Sequence, residues 1–160
     1  MKLLIAFLGL VALSLTLAAG QAGDSAPSIK GSYILEYREL PDGKQVRPPE
    51  VMGMMTFTRD HRNFNVYWMQ DNKPVSISII STYTLSPTEY TEQTLYAMAN
   101  GQAGVKYETK PLTGKSPVTI KDGRINFKLP LLGEPEVSFD DSGFTATRAG
   151  DFVDHWKKID

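Results

Sequence analysis

The sequence predicts an all-β fold, an antiparallel up-and-down β-barrel of about eight to ten strands. Three observations predict it. Apolar and polar residues alternate with a period of two along many short segments, as strands with one buried face require. Turn residues separate those segments about every 8–12 residues. Strand patterns do not alternate with long helical patterns, which argues against a parallel βαβ sheet.

The first strand of this barrel is predicted at Gly31–Leu40, which reads GSYILEYREL. Tyr33, Leu35 and Tyr37 share one side of it, and mostly polar residues take the other side. Because successive side chains of a strand point to opposite faces, we expect these three to point into the barrel.

The later strands follow from the same alternation and from the turns between them. Val75, Ile77 and Ile79 alternate with serines, which is the clearest period-two pattern in the chain. Asp122-Gly123 between two apolar runs is a strong signal for a tight hairpin. The predicted strands after the first are Met54–Arg59, Phe64–Gln70, Val75–Leu85, Tyr90–Met98, Val105–Lys110, Val118–Lys121, Arg124–Leu129, Val137–Asp140, Phe144–Arg148 and Phe152–Ile159.

Three stretches between these strands are predicted as turns or loops. Asp60–Asn63 is a run of four polar residues and is predicted as a turn. Gln45–Val51 contains Pro48-Pro49 and is predicted as an extended loop. Leu112–Pro117 is polar and contains Gly and Pro, so it is also predicted as a loop.

Ser86–Glu89 is ambiguous because it matches two local structures. Its Ser, Pro and Glu have the spacing of a helix start. The residues that follow decide the assignment, because Tyr90, Tyr96 and Met98 share a strand parity whereas the helical face would be mostly polar. We predict a hairpin at Ser86–Glu89 and a strand over Tyr90–Met98.

The N-terminal segment has the layout of a secretory signal peptide. Lys2 precedes an apolar stretch, Leu3–Ala19, and small residues follow it. We expect a cleaved leader at residues 1–22, with cleavage after Gly20 or Ala22. A membrane anchor is the alternative, but the run is slightly short for a span and lacks a basic flank. We therefore expect an exported protein, periplasmic or extracellular, with no membrane span in its mature form.

The rest of the chain is expected to form a flexible lead-in at 23–30 and one barrel domain at 31–160. The sequence has no cysteine, so disulfides cannot stabilise the exported domain. Its formal net charge is −1, which argues against a nucleic acid partner. A monomer with a small apolar ligand is the expected state.

Residues that could do chemistry are scarce. The two histidines, His61 and His155, lack the further nearby ligands that a metal site needs. Neither a nucleophile-elbow motif nor a phosphate-binding glycine loop occurs in the sequence. We therefore predict no catalytic residue, no metal and no cofactor.

Several short motifs resemble those of the bacterial lipocalin-like domains. Gly31-Ser32-Tyr33 resembles the Gly-x-Trp opening of lipocalins, with Tyr in place of Trp. Asp42-Gly43-Lys44 and Pro48-Pro49 are similar to a turn and a proline-containing loop of that family. The stretch 53–60, GMMTFTRD, is similar to its Gly-led strand, and 154–158, DHWKK, is similar to its Trp-x-Arg ending.

The resemblance implies a barrel of eight to ten strands whose interior binds a small apolar molecule. It also implies that Tyr33 closes one end of the barrel and that a basic side chain from near the C-terminus packs on its ring. Lys158 matches by motif, and Arg148 is a rival because it shares the parity of Phe144 and because arginine stacks better on an aromatic ring. The predicted barrel-end cluster is Tyr33, Arg148, Trp156 and Lys158.

Parity also predicts which side chains would line a ligand site inside the barrel. They are Leu35, Tyr37, Met55, Phe57, Val66, Trp68, Ile77, Tyr83, Tyr96 and Tyr107. The tyrosine hydroxyls would add polar points to an apolar wall, which is the usual composition of a ligand site. We expect the mouth at Met52–Met55, after the Pro48-Pro49 loop. The alternative is that these side chains fill the barrel as a solid core.

Three functions fit these observations. The first is a secreted or periplasmic protein that binds a small apolar or amphipathic molecule in the barrel. The second is an enzyme that acts on a hydrophobic substrate there, which would need a buried carboxylate or His facing a Tyr. The third is a filled barrel that binds a protein through an exposed apolar patch. The lack of a convergent reactive set in the sequence favours the first.

The leader gives a direct prediction about the mature protein. Because small residues precede the expected cleavage points, the exported form should begin at residue 21 or 23. N-terminal sequencing of protein from the cell envelope or the medium measures this, and an intact Met1 in that fraction would contradict it.

Overall fold

The computed structural model describes residues 26–160, which form one antiparallel sheet curled into a half-barrel. The predicted all-β fold class is confirmed, and this part of the chain contains no helix. Accordingly, no long apolar helix of the kind that spans a membrane occurs within residues 26–160. The predicted leader and its cleavage points lie outside the described residues, as does the start of the lead-in.

The sheet of the described residues is built from thirteen strands, numbered here in chain order. They are β1 (Gly31–Glu39), β2 (Gln45–Val46), β3 (Val51–Phe57), β4 (His61–Gln70), β5 (Lys73–Leu85), β6 (Glu89–Gly101), β7 (Gly104–Glu108), β8 (Thr113–Pro117), β9 (Thr119–Lys121), β10 (Arg124–Lys128), β11 (Glu136–Asp140), β12 (Gly143–Arg148) and β13 (Phe152–Lys158).

The strands follow one another up and down, and the two ends of the chain meet. Eleven strands are hydrogen-bonded in the order β7-β6-β5-β4-β3-β1-β13-β12-β11-β10-β9, with β2 paired to β1 and β8 paired to β6. The first and last strands are neighbours, with Tyr33 opposite Lys158. The remaining gap in the curled sheet, called the seam below, therefore lies between the β6–β8 side and β10.

One of the predicted loops is a strand in the structure. The prediction of a loop at Leu112–Pro117 is wrong, because β8 pairs with β6 from Glu89 opposite Pro117 to Gln93 opposite Thr113. Ser116 of β8 also donates a 2.6 Å hydrogen bond across the seam to the Lys128 carbonyl oxygen. A neighbouring strand thus fixes a segment whose composition alone favours a loop.

The predicted turn at Asp60–Asn63 is also misplaced. β4 begins at His61, and the turn consists of the residues just before it, where the Thr58 amide bonds the His61 carbonyl oxygen at 2.9 Å. The hairpin predicted at Ser86–Glu89 is confirmed, with the Ser86 amide bonded to the Glu89 carbonyl oxygen at 2.9 Å. Both hairpins turn within a few residues, which keeps β3, β4, β5 and β6 in consecutive order.

Two β-bulges change which side chains face inward. The register of β1 against β13 shifts between Leu35 and Tyr37, and that of β5 against β6 shifts between Ile80 and Ser81. A bulge inserts one residue in a strand, and every side chain beyond it changes face. Beyond the first bulge Arg38 therefore points inward.

One half of the interior is a solid aromatic core. A chain of stacked rings crosses it, with centroid separations of 4.4 to 5.8 Å. In order, its members are Tyr83, Tyr90, Phe127, Phe139, Phe144 and Trp156. Buried aromatic rings supply large apolar areas and prefer such offset contacts. This aromatic stack fills the end of the half-barrel where the chain enters.

Tyr33 is buried against the aromatic stack, as expected for a residue that closes this end. Its ring meets Phe144 edge-on at 5.1 Å, and its hydroxyl donates a 2.9 Å hydrogen bond to the Ile29 carbonyl oxygen. Ile29 itself is only 2% exposed, so the prediction of a flexible lead-in is wrong at this residue. An apolar side chain just before β1 covers the end of the core and is held there by burial.

The prediction that Arg148 packs on Tyr33 is wrong. Arg148 pairs with Phe152 at the far end of β12, and its guanidinium lies 5.6 Å from the Phe152 ring centroid. Its parity is inward as predicted, but its position along the strand places it at the opposite end of the half-barrel from Tyr33. Lys158 lies opposite Tyr33 in register and passes over Gly31, where an added Cβ would lie 2.6 Å from the Lys158 Cε.

Replacing Tyr33 with Ala should lower the free energy of unfolding by about 3–5 kcal/mol, because it empties a large aromatic site in a closely packed core. Tyr33→Phe keeps the ring and removes only the hydrogen bond to Ile29, so its cost should be about 1 kcal/mol. Chemical denaturation followed by fluorescence measures both. Equal losses in the two variants would show that the ring does not contribute through packing.

Candidate functional site

The other half of the interior is an open cavity of about 840 Å³ on the concave face of the sheet. Its inner wall is apolar, and more than half of its side chains come from β3, β4 and β5. These wall residues are Val51, Met55, Phe64, Val66, Ile77, Ile79, Ala97, Leu129, Ala146 and Trp156. The interior is therefore part solid core and part cavity, and Trp156 belongs to both because it ends the aromatic stack and borders the cavity.

Gly53 allows Trp156 to take this position. A Cβ added at Gly53 would lie 2.6 Å from the indole Cη2 of Trp156 and 3.2 Å from the Asn65 carbonyl oxygen. The ring therefore lies against the bare backbone of β3. Any larger residue at Gly53 would push the indole toward the cavity.

Half of the ten predicted ligand-binding residues border this cavity. Met55, Val66, Trp68 and Ile77 line its wall, and Tyr107, which is 67% exposed, lies at its rim. Leu35, Phe57 and Tyr83 are buried in the solid core instead. Parity identified their inward face correctly. It does not indicate how far along each strand the solid core ends and the cavity begins.

Tyr37 and Tyr96 lie on the outer face, so their predicted inward orientation is wrong. Tyr37 stacks on His155 at 4.2 Å between ring centroids, and the Arg47 guanidinium lies 4.6 Å from the Tyr37 ring centroid. Tyr96 lies opposite the exposed Ile80. In both strands a bulge reverses the alternation, which local sequence does not reveal.

The predicted mouth at Met52–Met55 is misplaced. Met55 faces inward and is buried, but Met52 and Met54 are 45% and 48% exposed on the convex face. With Ile34, Pro48 and Tyr67 they border a second concavity of about 530 Å³, called the outer groove below. The cavity itself opens at the other end of β1, where Leu40, Val46, Glu50, Met69, Gln70, Leu132 and Asp151 border it.

Arg38 and Asp154 form an ion pair on the cavity wall. The Arg38 Nε and Nη2 atoms donate to Asp154 Oδ1 and Oδ2 at 2.6 and 2.8 Å. The guanidinium also lies 4.0 Å from the ring centroid of Phe152 and 5.4 Å from that of Trp68. Burial raises the pKa of Asp154, while the bonds from Arg38 oppose that rise.

A second ionic group, called the buried ion cluster below, spans the seam. Arg62 of β4 is fully buried and donates through Nη1 to Glu92 Oε1 at 2.7 Å and to Glu134 Oε2 at 3.1 Å, while its Nη2 donates to the other Glu134 oxygen. Glu92 also accepts a 2.5 Å bond from Ser81 and a 2.9 Å bond from the Tyr90 hydroxyl. The cluster thus joins β4, β5 and β6 to the loop between β10 and β11.

The pKa shifts in the buried ion cluster follow from burial and mutual attraction. Burial acts to lower the pKa of the Arg62 guanidinium, but the nearby Glu134 and Glu92 outweigh this and raise it. Burial raises the pKa of Glu134 despite the Arg62 charge beside it. Burial likewise raises the pKa of the Tyr90 phenol. Arg62 therefore stays charged, and its charge holds the buried carboxylates in place.

Two N–H groups near these sites lack partners. Arg62 Nε and Trp156 Nε1 are buried and form no hydrogen bond with any described residue. An unsatisfied buried donor costs about 1–3 kcal/mol.

Sequence reasoning missed the charged residues of both ionic groups, although parity could have found three of them. Arg62 shares the inward parity of Phe64 once β4 is extended to His61, and Glu92 shares that of Tyr90. Asp154 likewise shares the inward parity of Trp156. Charged residues are rarely buried without partners, so a pattern read residue by residue assigns them to the surface.

The buried acidic side chains of the described residues are held by hydrogen-bond partners. A buried carboxylate beside a tyrosine does occur, at Glu92 and Tyr90, but neither residue borders the cavity. The two carboxylates that border it most deeply, Glu134 and Asp154, are each held by an arginine. His61 and His155 lie on the surface, and residues 26–160 contain no group of three metal-ligating side chains.

Comparisons with known proteins leave the family open. No family model, curated protein or solved structure matches the chain. The resemblance to lipocalin-like domains therefore stays a prediction from short motifs.

Removing the charge of Arg62 should destabilise the fold strongly. Arg62→Met leaves Glu92 and Glu134 buried without a cation, which costs about 3–5 kcal/mol at neutral pH. A buried carboxyl group without a cation has a raised pKa, so it is tolerated best at low pH, where it is protonated, and it destabilises the fold as the pH rises through that pKa. The loss of unfolding free energy in Arg62→Met should therefore be larger at pH 8 than at pH 5. Urea denaturation at the two pH values measures it.

Arg124→Met is the matched control for this experiment. Arg124 also pairs with a carboxylate, Asp140, at 2.6 Å, but both side chains are more than 30% exposed. An exposed ion pair contributes about 0–1 kcal/mol to the free energy of unfolding. This variant should therefore lose little stability at either pH. A similar loss in the two variants would contradict a special role for the buried ion cluster.

Proposed function

We propose that this protein binds a small apolar or amphipathic molecule in the cavity of the half-barrel. The observation that supports this most directly is the cavity itself, at about 840 Å³ with a mostly apolar inner wall. Sites for small molecules in proteins have volumes of about 300–1,000 Å³ and a few polar groups on an apolar wall. Arg38 and Asp154 are such polar groups.

The rigidity of the wall supports the same proposal. Most wall residues lie within paired strands, and Trp156 is fixed between Phe144 and the backbone at Gly53. A preformed site loses little conformational freedom when it binds a ligand. An apolar molecule that enters it would therefore gain most of the free energy of leaving water.

Export is part of the proposal and is supported by the leader-like sequence at residues 1–22. In the periplasm or outside the cell, a monomer of this kind would hold or carry a molecule that is poorly soluble in water. This is also the function implied by the resemblance to lipocalin-like domains.

An apolar fluorescent probe should bind this cavity with a Kd of about 1 μM, which corresponds to about −8 kcal/mol. Ala97→Trp should abolish binding, because Ala97 borders the cavity and the larger side chain would extend into it. Fluorescence titration measures the Kd, and circular dichroism checks the fold.

Ile80→Trp is the matched control, since Ile80 lies on the outer face of β5 and is 39% exposed. This variant should bind the probe with the wild-type Kd. If the wild type shows no saturable binding, or if Ala97→Trp binds as well as Ile80→Trp does, the cavity is not the site.

A second candidate function is supported by the outer groove. Ile34, Met52 and Met54 expose apolar surface there, and such patches often mark protein interaction sites. A photoreactive cross-linker at position 54 in the cell distinguishes the two candidates. A specific protein adduct that forms equally well in the Ala97→Trp variant would favour protein binding at the outer groove. A small molecule that co-purifies with the wild type but not with Ala97→Trp would favour ligand binding in the cavity.

A further inference from the structure

Arg38 is held in one orientation before any ligand arrives. Asp154 accepts two of its hydrogen bonds, from Nε and Nη2, and the rings of Phe152 and Trp68 lie close to the guanidinium. A bidentate pair of this kind fixes the plane and direction of an arginine head group. Its remaining donors are therefore preorganised.

One end of the Arg38 guanidinium remains available to a ligand. The Nη1 atom forms no hydrogen bond with any residue of 26–160, while Nε and Nη2 are both used. The Arg38 side chain is 11% exposed, and it borders the cavity. Two N–H groups of a fixed guanidinium can thus donate to an oxygen atom placed in the cavity.

The charges around the cavity disfavour an anionic partner for those donors. Asp154 already balances the charge of Arg38, and the single charge of Arg62 is shared between Glu134 and Glu92. The cavity is bordered by five acidic and three basic side chains. They are Glu50, Glu108, Glu134, Asp151 and Asp154, against Arg38, Lys106 and Arg148. A carboxylate brought to Arg38 would leave water and meet an acidic surrounding.

The depth of Arg38 sets where the head and the tail of a ligand would lie. Arg38 pairs with Asp154, whereas the more deeply placed Leu35 pairs with Trp156 at the end of the aromatic stack. Arg38 therefore lies between the mouth of the cavity and its apolar inner wall. An apolar tail can reach Met55 and Val66 while an oxygen at its head meets Arg38.

We propose that Arg38 determines specificity in this cavity, and that the ligand is an uncharged amphipathic molecule whose ester, amide or hydroxyl oxygen accepts a hydrogen bond from Arg38 Nη1. This inference rests on the proposed function and narrows it. Free fatty acids and cationic amphiphiles of the same length bind less well, the former because of the acidic surrounding and the latter because they lack an acceptor oxygen.

Competition with the fluorescent probe at pH 7.5 tests the inference on three amphiphiles with the same twelve-carbon tail. Monododecanoylglycerol should displace the probe at a concentration about tenfold lower than dodecanoate or dodecylammonium does, as one hydrogen bond from the charged guanidinium and the penalty for a charged head group predict. Equal or tighter binding of dodecanoate or of dodecylammonium overturns the inference. If neither the probe nor any of the three binds, the proposed function itself fails.

Variants of Arg38 show whether this residue causes the preference. Arg38→Lys keeps a cation beside Asp154 but loses the fixed guanidinium fork, so the tenfold preference for the glycerol ester should fall to about twofold. The double variant Arg38→Leu with Asp154→Leu removes both charges and should lose the preference for the glycerol ester as well.

Arg148→Lys is the matched control, because Arg148 lies on the rim of the same cavity and bonds the Gly133 carbonyl oxygen. It should keep the full preference. An undiminished preference in both Arg38 variants, or the same decrease in Arg148→Lys, would show that Arg38 does not select the head group.

Discussion

The Arg62 guanidinium and its two glutamates tie together the two flanks of the curled sheet. β4 and β6 supply Arg62 and Glu92, and the loop between β10 and β11 supplies Glu134 from the other side of the seam. The same two flanks are also joined through the chain, because β8 pairs with β6 and runs directly into β9, which pairs with β10. A buried charge is tolerated only when its partners are in place, so one curvature of the sheet is strongly preferred.

This curvature has two consequences inside the half-barrel. The inward rings from both flanks come close enough to form the aromatic stack from Tyr83 to Trp156. Beyond Trp156 the inward side chains are smaller or shorter, such as Val66, Ala97 and Ala146, and they leave the space unfilled. The boundary between core and cavity thus lies at one indole ring, whose position depends on the missing side chain of Gly53.

The two ionic groups of the interior differ in what they can do for function. The buried ion cluster closes the seam, and its carboxylate oxygens are occupied by Arg62, Ser81 and Tyr90. The Arg38–Asp154 pair lies on the cavity wall and leaves one nitrogen of its guanidinium unused. A structural network and the ion pair that we propose as the recognition group thus lie a few strands apart.

The sequence by itself determined the fold class, most of the strands and much of the inward face, because a two-residue alternation and turn chemistry are local properties. It identified Met55, Val66, Trp68 and Ile77 as inward residues, and they border the cavity. It did not determine to which face of the sheet Tyr37 and Tyr96 point, since a single extra residue in a bulge moves every later side chain of the strand to the opposite face.

Only the tertiary structure decided which inward residues fill the core and which surround a cavity. That division depends on the curvature of the sheet, on the register of strands far apart in the chain, and on contacts such as Arg62 with Glu134. β8 became a strand for the same reason, because its partner on β6 lies some twenty residues earlier in the chain. Such pairings are non-local, and a local pattern contains no information about the distance between two faces.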